Sequence, residues 1–393
     1  MSEEVKEYVV SVEDMSMLDS LYEKMESNFS SETIPNRRVE IVHRKPISRN
    51  THYLLTDSEA EKLKNENGVI SVIKRPEPGM VKIKPSWIQT SSLWNRDYCG
   101  TNFTNQHRNW AILDASLSEI DQVWGSGYGN GSENKTATVI NSSEGRNVDV
   151  IISDGMVNPN HPELAVNADG TGGSRVIQYN WLQHRSTVEG SANGTYVYTP
   201  YINSTDELMT DNNNHGLHVA GTVAGNTMGW ARRANIYNIN PYSTDVNDIF
   251  HFDYIRQFHR TKPINPSTGR RNPTIVNCSW GQGGAWAVSS ISKIIFNGVT
   301  YNGPFDSNTD FFNLYNLQAY DDNGVFTVAW LWRDATIDID IQDAINDGII
   351  IVGAAGNETS IMERTGGNSF NNQIVFNNIT PSTYFTGRGA TPG

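Results

Sequence analysis

Asn147-Val-Asp-Val-Ile-Ile-Ser-Asp-Gly-Met-Val157 is the stretch on which the fold turns. Apolar residues dominate from Val148 to Ile152, and the run ends on Ser153 and Asp154. It therefore reads as a buried strand that delivers a carboxylate at its carboxyl end. Three more short apolar runs follow: Asn235-Ile-Tyr-Asn-Ile239, Thr274-Ile-Val-Asn277 and Ile349-Ile-Ile-Val352. Helical stretches lie between them, notably His215–Ala224 and Asp338–Asn346. Strands separated by helices predict an α/β fold with a parallel sheet covered on both faces. In such folds chemistry gathers at the carboxyl ends of the strands. Three strands run into unusual polar turns there: Ser153-Asp154-Gly155, Cys278-Ser279-Trp280-Gly281 and Ala355-Gly356-Asn357.

Upstream the chain has a different character. Charge is densest in residues 1–80, which parse as a strand (Val5–Val12), a helix (Asp14–Asn28) and two strands (Arg38–Val42, His52–Leu55). A second helix opens at the capping-box spacing Thr56-Asp-Ser-Glu59 and stops at Gly68, before a last strand, Val69–Ile73. The order β-α-β-β-α-β predicts a small ferredoxin-like α+β domain. Pro76, Pro78 and Pro85 break regular structure and mark a linker. The expected domains are 1–78 for the α+β unit, 79–146 for a linker and the start of the next region, and 147–393 for the parallel-sheet domain. Within 79–146, Ala115–Val123 reads as a helix and Gly125–Arg146 as an exposed loop.

Composition limits the function classes. The 393 residues carry 43 acidic and 30 basic side chains, a formal net charge of −13, which opposes an electrostatic nucleic-acid partner. No apolar run approaches the ~20 residues of a spanning helix, and the start lacks the basic and apolar segments of a secretory signal. No membrane association is expected, and the compartment stays open. Hydrophobic residues at 37% can fill a sizeable core. The two cysteines, Cys99 and Cys278, read as unpaired thiols, with a single bridge between them as the alternative.

The polar turns suggest acyl chemistry. Asp154 alone could be an ordinary turn aspartate, but His161-Pro-Glu-Leu164 follows at a distance that fixes the loop's exit. His215-Gly-Leu-His-Val-Ala-Gly-Thr-Val-Ala-Gly225 places a histidine at the mouth of a helix made almost wholly of small residues. Such a helix can lie deep in a core, holding His215 as rigidly as a general base requires. Ala354-Ala-Gly-Asn357 presents one carboxamide at a strand end, and a fixed amide donor is what an oxyanion needs; losing one costs about 10²–10³ in turnover.

Residues 147–357 resemble the subtilisin-like serine peptidases, the subtilases. Asp154 through Leu164 is similar to the family's aspartate motif, and His215-Gly-Leu-His-Val-Ala-Gly221 to its histidine motif. Asn277-Cys-Ser-Trp-Gly281 is similar to the family's substrate-binding strand, and Ala355-Gly-Asn357 to its oxyanion motif. The resemblance implies a peptidase that hydrolyses an extended polypeptide substrate through an Asp-His-Ser triad. Asp154 would orient His215, His215 would act as base and acid, and Asn357 would donate to the oxyanion. Ser279, Trp280 and Gly281 would pair with substrate through backbone, with Trp280 favouring apolar side chains in an adjoining pocket. The first domain resembles the subtilase propeptide in His52–Leu63 and Gly68–Val72, which implies an intramolecular propeptide that assists folding and covers the cleft. No cofactor is required for this chemistry. Structural calcium occurs in the family, though no loop spells a site for it. A monomer is expected.

Two features depart from the family pattern. Gly155-Met156 replaces a small hydroxyl residue followed by glycine. The family's Gly-Thr-Ser-Met-Ala type serine motif is absent from the 36 residues after Asn357, where Ser360, Ser369 and Ser382 read as loop serines. The expectation is an amino-terminal part of a longer peptidase, inactive as it stands. One rival is a metal hydrolase using His215, His218 and Asp154; the zincin pattern needs His-Glu-x-x-His, which is missing, and His218 reads as a packed helix residue. The other is a non-catalytic pseudopeptidase or assembly protein that binds extended peptides.

Overall fold

The computed structural model describes residues 4–26, 37–75, 82–85, 144–167, 170–190, 214–226, 229–241, 248–315, 317–322, 324–331, 335–354, 363, 365–377 and 383–386. The helix expected at Ala115–Val123, most of the loop expected at 125–146, Cys99 and Asn357 lie outside the described residues.

The first six elements are β1 (Lys6–Val12), α1 (Leu18–Glu26), β2 (Glu40–Arg44), β3 (Asn50–Leu55), α2 (Asp57–Leu63) and β4 (Val69–Lys74). They form an antiparallel sheet of order β2-β3-β1-β4, as the β-α-β-β-α-β reading requires. The capping box is made: Thr56 Oγ1 accepts from the Glu59 amide at 3.2 Å and Glu59 Oε2 from the Thr56 amide at 2.8 Å. Helix α1 starts later than expected, because Asp14 caps a 3₁₀ turn over Met15–Met17. Its stripe of Leu18, Leu21 and Met25 is buried in one core with Tyr53 and Leu55 of the sheet and Leu63 of α2.

Beyond this unit comes β5 (Lys82–Pro85), a strand where the prolines predicted only a linker. The parallel sheet follows, built from β6 (Asp149–Ser153), β7 (Val176–Ile177), α3 (Asn214–Ala224), β8 (Asn235–Ile239), α4 (His251–Thr261) and β9 (Thr274–Cys278). Next are β10 (Trp280–Ala287), β11 (Ile291–Phe296), β12 (Val299–Asn302), β13 (Gln318–Asp322) and β14 (Val325–Leu331). Helix α5 (Ala335–Asn346), β15 (Ile350–Gly353), β16 (Gln373–Phe376) and β17 (Thr383–Phe385) follow, and short helical turns such as Arg185–Val188 and Phe311–Tyr315 lie between the elements named.

The parallel sheet has the order β15-β9-β6-β8-β7, with β6 at its centre. Side chains alternate across a strand, so β6 serves both faces. Val150 and Ile152 pack against Val219, Ala220 and Ala224 of α3. Ile151 packs the other way, among Tyr254, Ile255 and Phe258 of α4 and Ile341 and Ala344 of α5. The fold is thus the expected α/β sheet with helices on both faces, preceded by a small antiparallel unit.

Residues 280–331 hold structure that the sequence pattern did not announce. Strands β13, β14, β10 and β5 form one antiparallel sheet in that order, and β12, β11, β16 and β17 form another. Val288, Ile294, Phe311, Val328 and Phe376 make a shared apolar core between them. Consequently β10, which leaves the parallel sheet one residue after β9, becomes an inner strand with β14 on one edge and β5 on the other.

Candidate active site

Asp154 is the first residue after β6 and is completely buried. By the alternation just described it points to the α3 side, where His215 stands in the helix's first turn. His215 Nδ1 lies 2.8 Å from Asp154 Oδ1 and 3.0 Å from Oδ2. An ionised carboxylate only accepts, so the neutral imidazole carries its proton on Nδ1 and keeps the Nε2 lone pair as a base. The Gly155 amide also donates to Asp154 Oδ1, at 2.7 Å.

Small residues make that approach possible. A Cβ on Gly216 would stand 2.3 Å from Gly155 O, so the first turn of α3 rests directly on the turn after Asp154. The far end of α3 is held as closely. A Cβ on Gly225 would meet Glu163 Oε2 at 2.6 Å, and the Asn226 amide donates to Glu163 O at 2.8 Å. The His161-Pro-Glu-Leu164 segment is a 3₁₀ turn capped by His161, whose Nδ1 accepts from the Glu163 amide, and Leu164 is sunk in the core beside α3. His218, read from sequence as packed, is exposed; one turn beyond His215, it sits on the solvent side of α3.

Asn238 was missed by the sequence reading. From β8 its Nδ2 donates to Ile152 O at 3.0 Å and Gly155 O at 3.0 Å, bracing the turn that carries Asp154. The only signal was a carboxamide inside the apolar run Asn235–Ile239. Ser153 and His251 were missed too; Ser153 Oγ lies 2.8 Å from His251 Nε2 on the α4 side.

Of the expected substrate strand, Trp280 and Gly281 open β10, paired antiparallel with Pro85 and Lys84 of β5. Ser279 precedes them and accepts from Asn277 Nδ2 at 2.7 Å. The Trp280 indole, expected to favour apolar side chains in an adjoining pocket, is buried, donates to Ser153 O and Ser153 Oγ at 2.9 Å each, and packs on His251 and Phe252. Asn357 lies outside the described residues, as do Ser360 and Ser382. Ser369 is buried in a turn before β16, its hydroxyl bonded to Asn297 Oδ1 at 2.8 Å. Among the described residues no cluster of three or more His, Cys, Asp and Glu side chains is arranged to hold a metal ion, and no helix is long and apolar enough to cross a membrane.

The model of the subtilase family matches residues 145–384. A subtilisin-like proteinase Mp1 of Magnaporthiopsis poae is 42% identical over 57 residues, 14% of this chain and 13% of that protein. A cuticle-degrading serine protease of Arthrobotrys oligospora is 39% identical over 57 residues, again 14% and 13%. The chain thus matches only about an eighth of the length of these relatives. Among solved structures, an epidermin leader peptide processing serine protease from Staphylococcus aureus aligns with a TM-score of 0.37 at 15% identity, covering 91% of this chain and 61% of that one. Fervidolysin from Fervidobacterium pennivorans, a keratinolytic enzyme related to subtilisin, aligns with a TM-score of 0.37 at 17% identity, covering 90% and 40%.

Proposed function

The chain belongs to the subtilase family, and from that premise we propose that it is a serine-type endopeptidase acting on extended polypeptides. The observation that carries the reading is the 2.8 Å contact from His215 Nδ1 to the fully buried Asp154. In the proposed reaction Asp154 holds the tautomer that leaves Nε2 basic and stabilises the imidazolium once Nε2 takes up a proton. His215 takes the proton of a serine hydroxyl as it attacks the scissile carbonyl, then returns it to the leaving amine. Asn357 donates to the oxyanion. Ser279, Trp280 and Gly281 bind substrate by backbone alone, as an added strand.

The first unit is proposed to act as an intramolecular propeptide. Support comes from β5, which lies along Trp280–Gly283 in antiparallel register, Pro85 opposite Trp280 and Lys82 opposite Gly283. β14 pairs with β10 only from Gly283 onward, so along Trp280–Gln282 the neighbour of β10 in its sheet is β5. A peptide added as a strand on that edge would have to displace residues 82–85, which is how this unit would cover the cleft.

The nucleophile is proposed to stand in a segment of family type that these 393 residues do not spell, so this chain alone should be unreactive. Removing the serine of such a triad costs on the order of 10⁶ in turnover. The test is to express the protein from its complete reading frame and expose it to a serine-directed phosphonate. Covalent labelling that disappears in His215→Ala is the expected result. Labelling that survives His215→Ala, or peptide binding with neither labelling nor cleavage, would overturn the peptidase reading; the second outcome is that of a non-catalytic peptide-binding protein.

A further inference from the structure

The strand end that carries Asp154 also carries a second serine–histidine contact, aimed at the opposite face. Ser153 points to α4, where its Oγ lies 2.8 Å from His251 Nε2. The same oxygen accepts from Trp280 Nε1 at 2.9 Å, and that indole N–H is shared with Ser153 O, also at 2.9 Å. Ser153 is 0% exposed, His251 2% and Trp280 8%. Cys278 stands beside Ser153 in the β6–β9 register. Burial pushes its thiol up to about 12, with the Ser153 hydroxyl working against that rise as a hydrogen-bond donor.

Hydrogen-bond accounting assigns the protons. His251 Nδ1 has no hydrogen-bond partner. Orphaned N–H groups are rarer in protein interiors than under-satisfied acceptors, so the neutral ring carries its proton on Nε2 and donates it to Ser153. Burial keeps that ring neutral, pushing it down to about 3. Ser153 Oγ then accepts from two ring N–H groups, and its own hydrogen is left to turn toward Cys278. An oxygen that receives two donors and faces no open cleft is not a nucleophile. It is an anchor.

We propose that Ser153, His251 and Trp280 form a buried bracket that sets the position of Asp154 and, through it, the orientation of His215. They are positioning residues, and the proposal rests on reading Asp154 and His215 as the acid–base pair. The geometry divides the labour. The Gly155 amide and His215 hold the carboxylate itself, Asn238 holds the turn after it, and the bracket holds the residue before it. Trp280 also opens β10, so the bracket ties the strand that would receive a peptide to the strand that bears the carboxylate.

The test needs no turnover. In the full chain at low temperature, the proton between His215 Nδ1 and Asp154 should give a far-downfield NMR resonance that Asp154→Asn removes. Ser153→Ala and His251→Phe are expected to lose that resonance. His251→Gln, whose side-chain amide can still donate to Ser153, should restore it. Ser11→Ala, which deletes an equally buried hydrogen bond to Asn50 in the first sheet, should leave it unchanged. If Ser153→Ala does not fold, the contrast between His251→Phe and His251→Gln decides. Retention of the wild-type resonance in His251→Phe, while Asp154→Asn abolishes it, would overturn the bracket and leave the acid–base pair intact. Absence of the resonance from the wild-type chain would overturn both.

Discussion

A methyl group added at Gly216 would stand 2.3 Å from Gly155 O, with the rest of the Gly155 backbone close behind. Neither wall is the tip of a flexible side chain, so Gly216→Ala must drive α3 away from the turn that bears Asp154. The expected cost is about 1–3 kcal/mol in urea unfolding, with loss of the His215–Asp154 proton signal. Gly221 is the internal control: a Cβ there meets nothing within 4 Å, so Gly221→Ala should be neutral or stabilising by up to about 1 kcal/mol. Equal stability of the two variants would mean that the close approach does not exist. His251 makes a different prediction. Burial pushes its imidazole from 6.5 down to about 3, whereas the unfolded chain protonates it normally. The folded state therefore loses nothing above pH 6.5, then about 1.4 kcal/mol per pH unit as pH falls toward 3. Burial lowers His43, His52, His184 and His259 as well, so the wild-type profile alone does not isolate one ring. Comparing wild type with His251→Gln does. The stability advantage of wild type at pH 7.5 should shrink by about 2 kcal/mol at pH 5, and an advantage that is independent of pH would refute the neutral buried ring.

Strand β5 is the element whose role depends most on a partner. Lys82-Ile-Lys-Pro85 has no strand signature strong enough to stand against the surrounding prolines, and it becomes a strand only by lying on β10. Replacing Ile83 and Lys84 together by proline removes their amides, whichever of them donates to β10. Exchange of the backbone amides at 280–283 should then accelerate by about tenfold, the equivalent of one or two net hydrogen bonds. Amides at 285–287, in the stretch that pairs with β14, should keep their protection. Unchanged exchange at 280–283 would mean that β5 contributes no cover to the substrate edge. The same contrast explains what could be read beforehand. Strands β6, β8, β9 and β15 were legible as short apolar runs bounded by turns, the form that parallel strands take, although β15, at the edge of the sheet, leaves Ile350 and Val352 exposed. Asp154 and His215 were legible because close packing writes small residues around them. Strand β10 reads Trp280-Gly-Gln-Gly-Gly-Ala-Trp-Ala287, too rich in glycine for an alternating pattern, so the antiparallel arm it begins stayed hidden. Ser153 and His251 stayed hidden for another reason: their contact spans 98 positions of sequence, and no local pattern links them.

At the scale of the whole molecule, the first unit is held to the parallel-sheet domain by charge as well as by β5. The connection between β2 and β3 brings Lys45, Ser48 and Asn50 onto α4 and α5. Lys45 Nζ lies 2.5 Å from Asp340 Oδ2 and 3.2 Å from Asp253 Oδ2. Asp340 Oδ1 also accepts from Ser48 Oγ at 2.6 Å and Asn50 Nδ2 at 3.1 Å, while Arg49 Nε meets Asp343 Oδ1 at 2.9 Å. Burial works against the ammonium of Lys45, yet Asp253 and Asp340 outweigh it and hold its pKa above the ordinary value. Burial pushes Asp253 the other way for a carboxyl, up to about 6. In a chain with a net charge of −13, this is an acidic helix face met by a lysine and an arginine; removing one partner of a buried pair leaves an uncompensated charge, whereas replacing both partners removes it. The pairing is therefore expected to matter more when broken than when replaced. Lys45→Met takes the counter-charge from Asp340 and leaves Asp253 with Arg256 alone, at 3.2 Å, and should cost about 3–5 kcal/mol at pH 7.5 in urea unfolding. The penalty should shrink at pH 5, where Asp253 is protonated and no longer needs a counter-charge. Lys45→Met combined with Asp253→Leu and Asp340→Leu removes the stranded charges and should recover at least half of the loss. A single substitution that costs less than about 1 kcal/mol, or a triple variant no more stable than Lys45→Met, would mean that this cluster is solvated in solution and adds nothing to the contact between the two units.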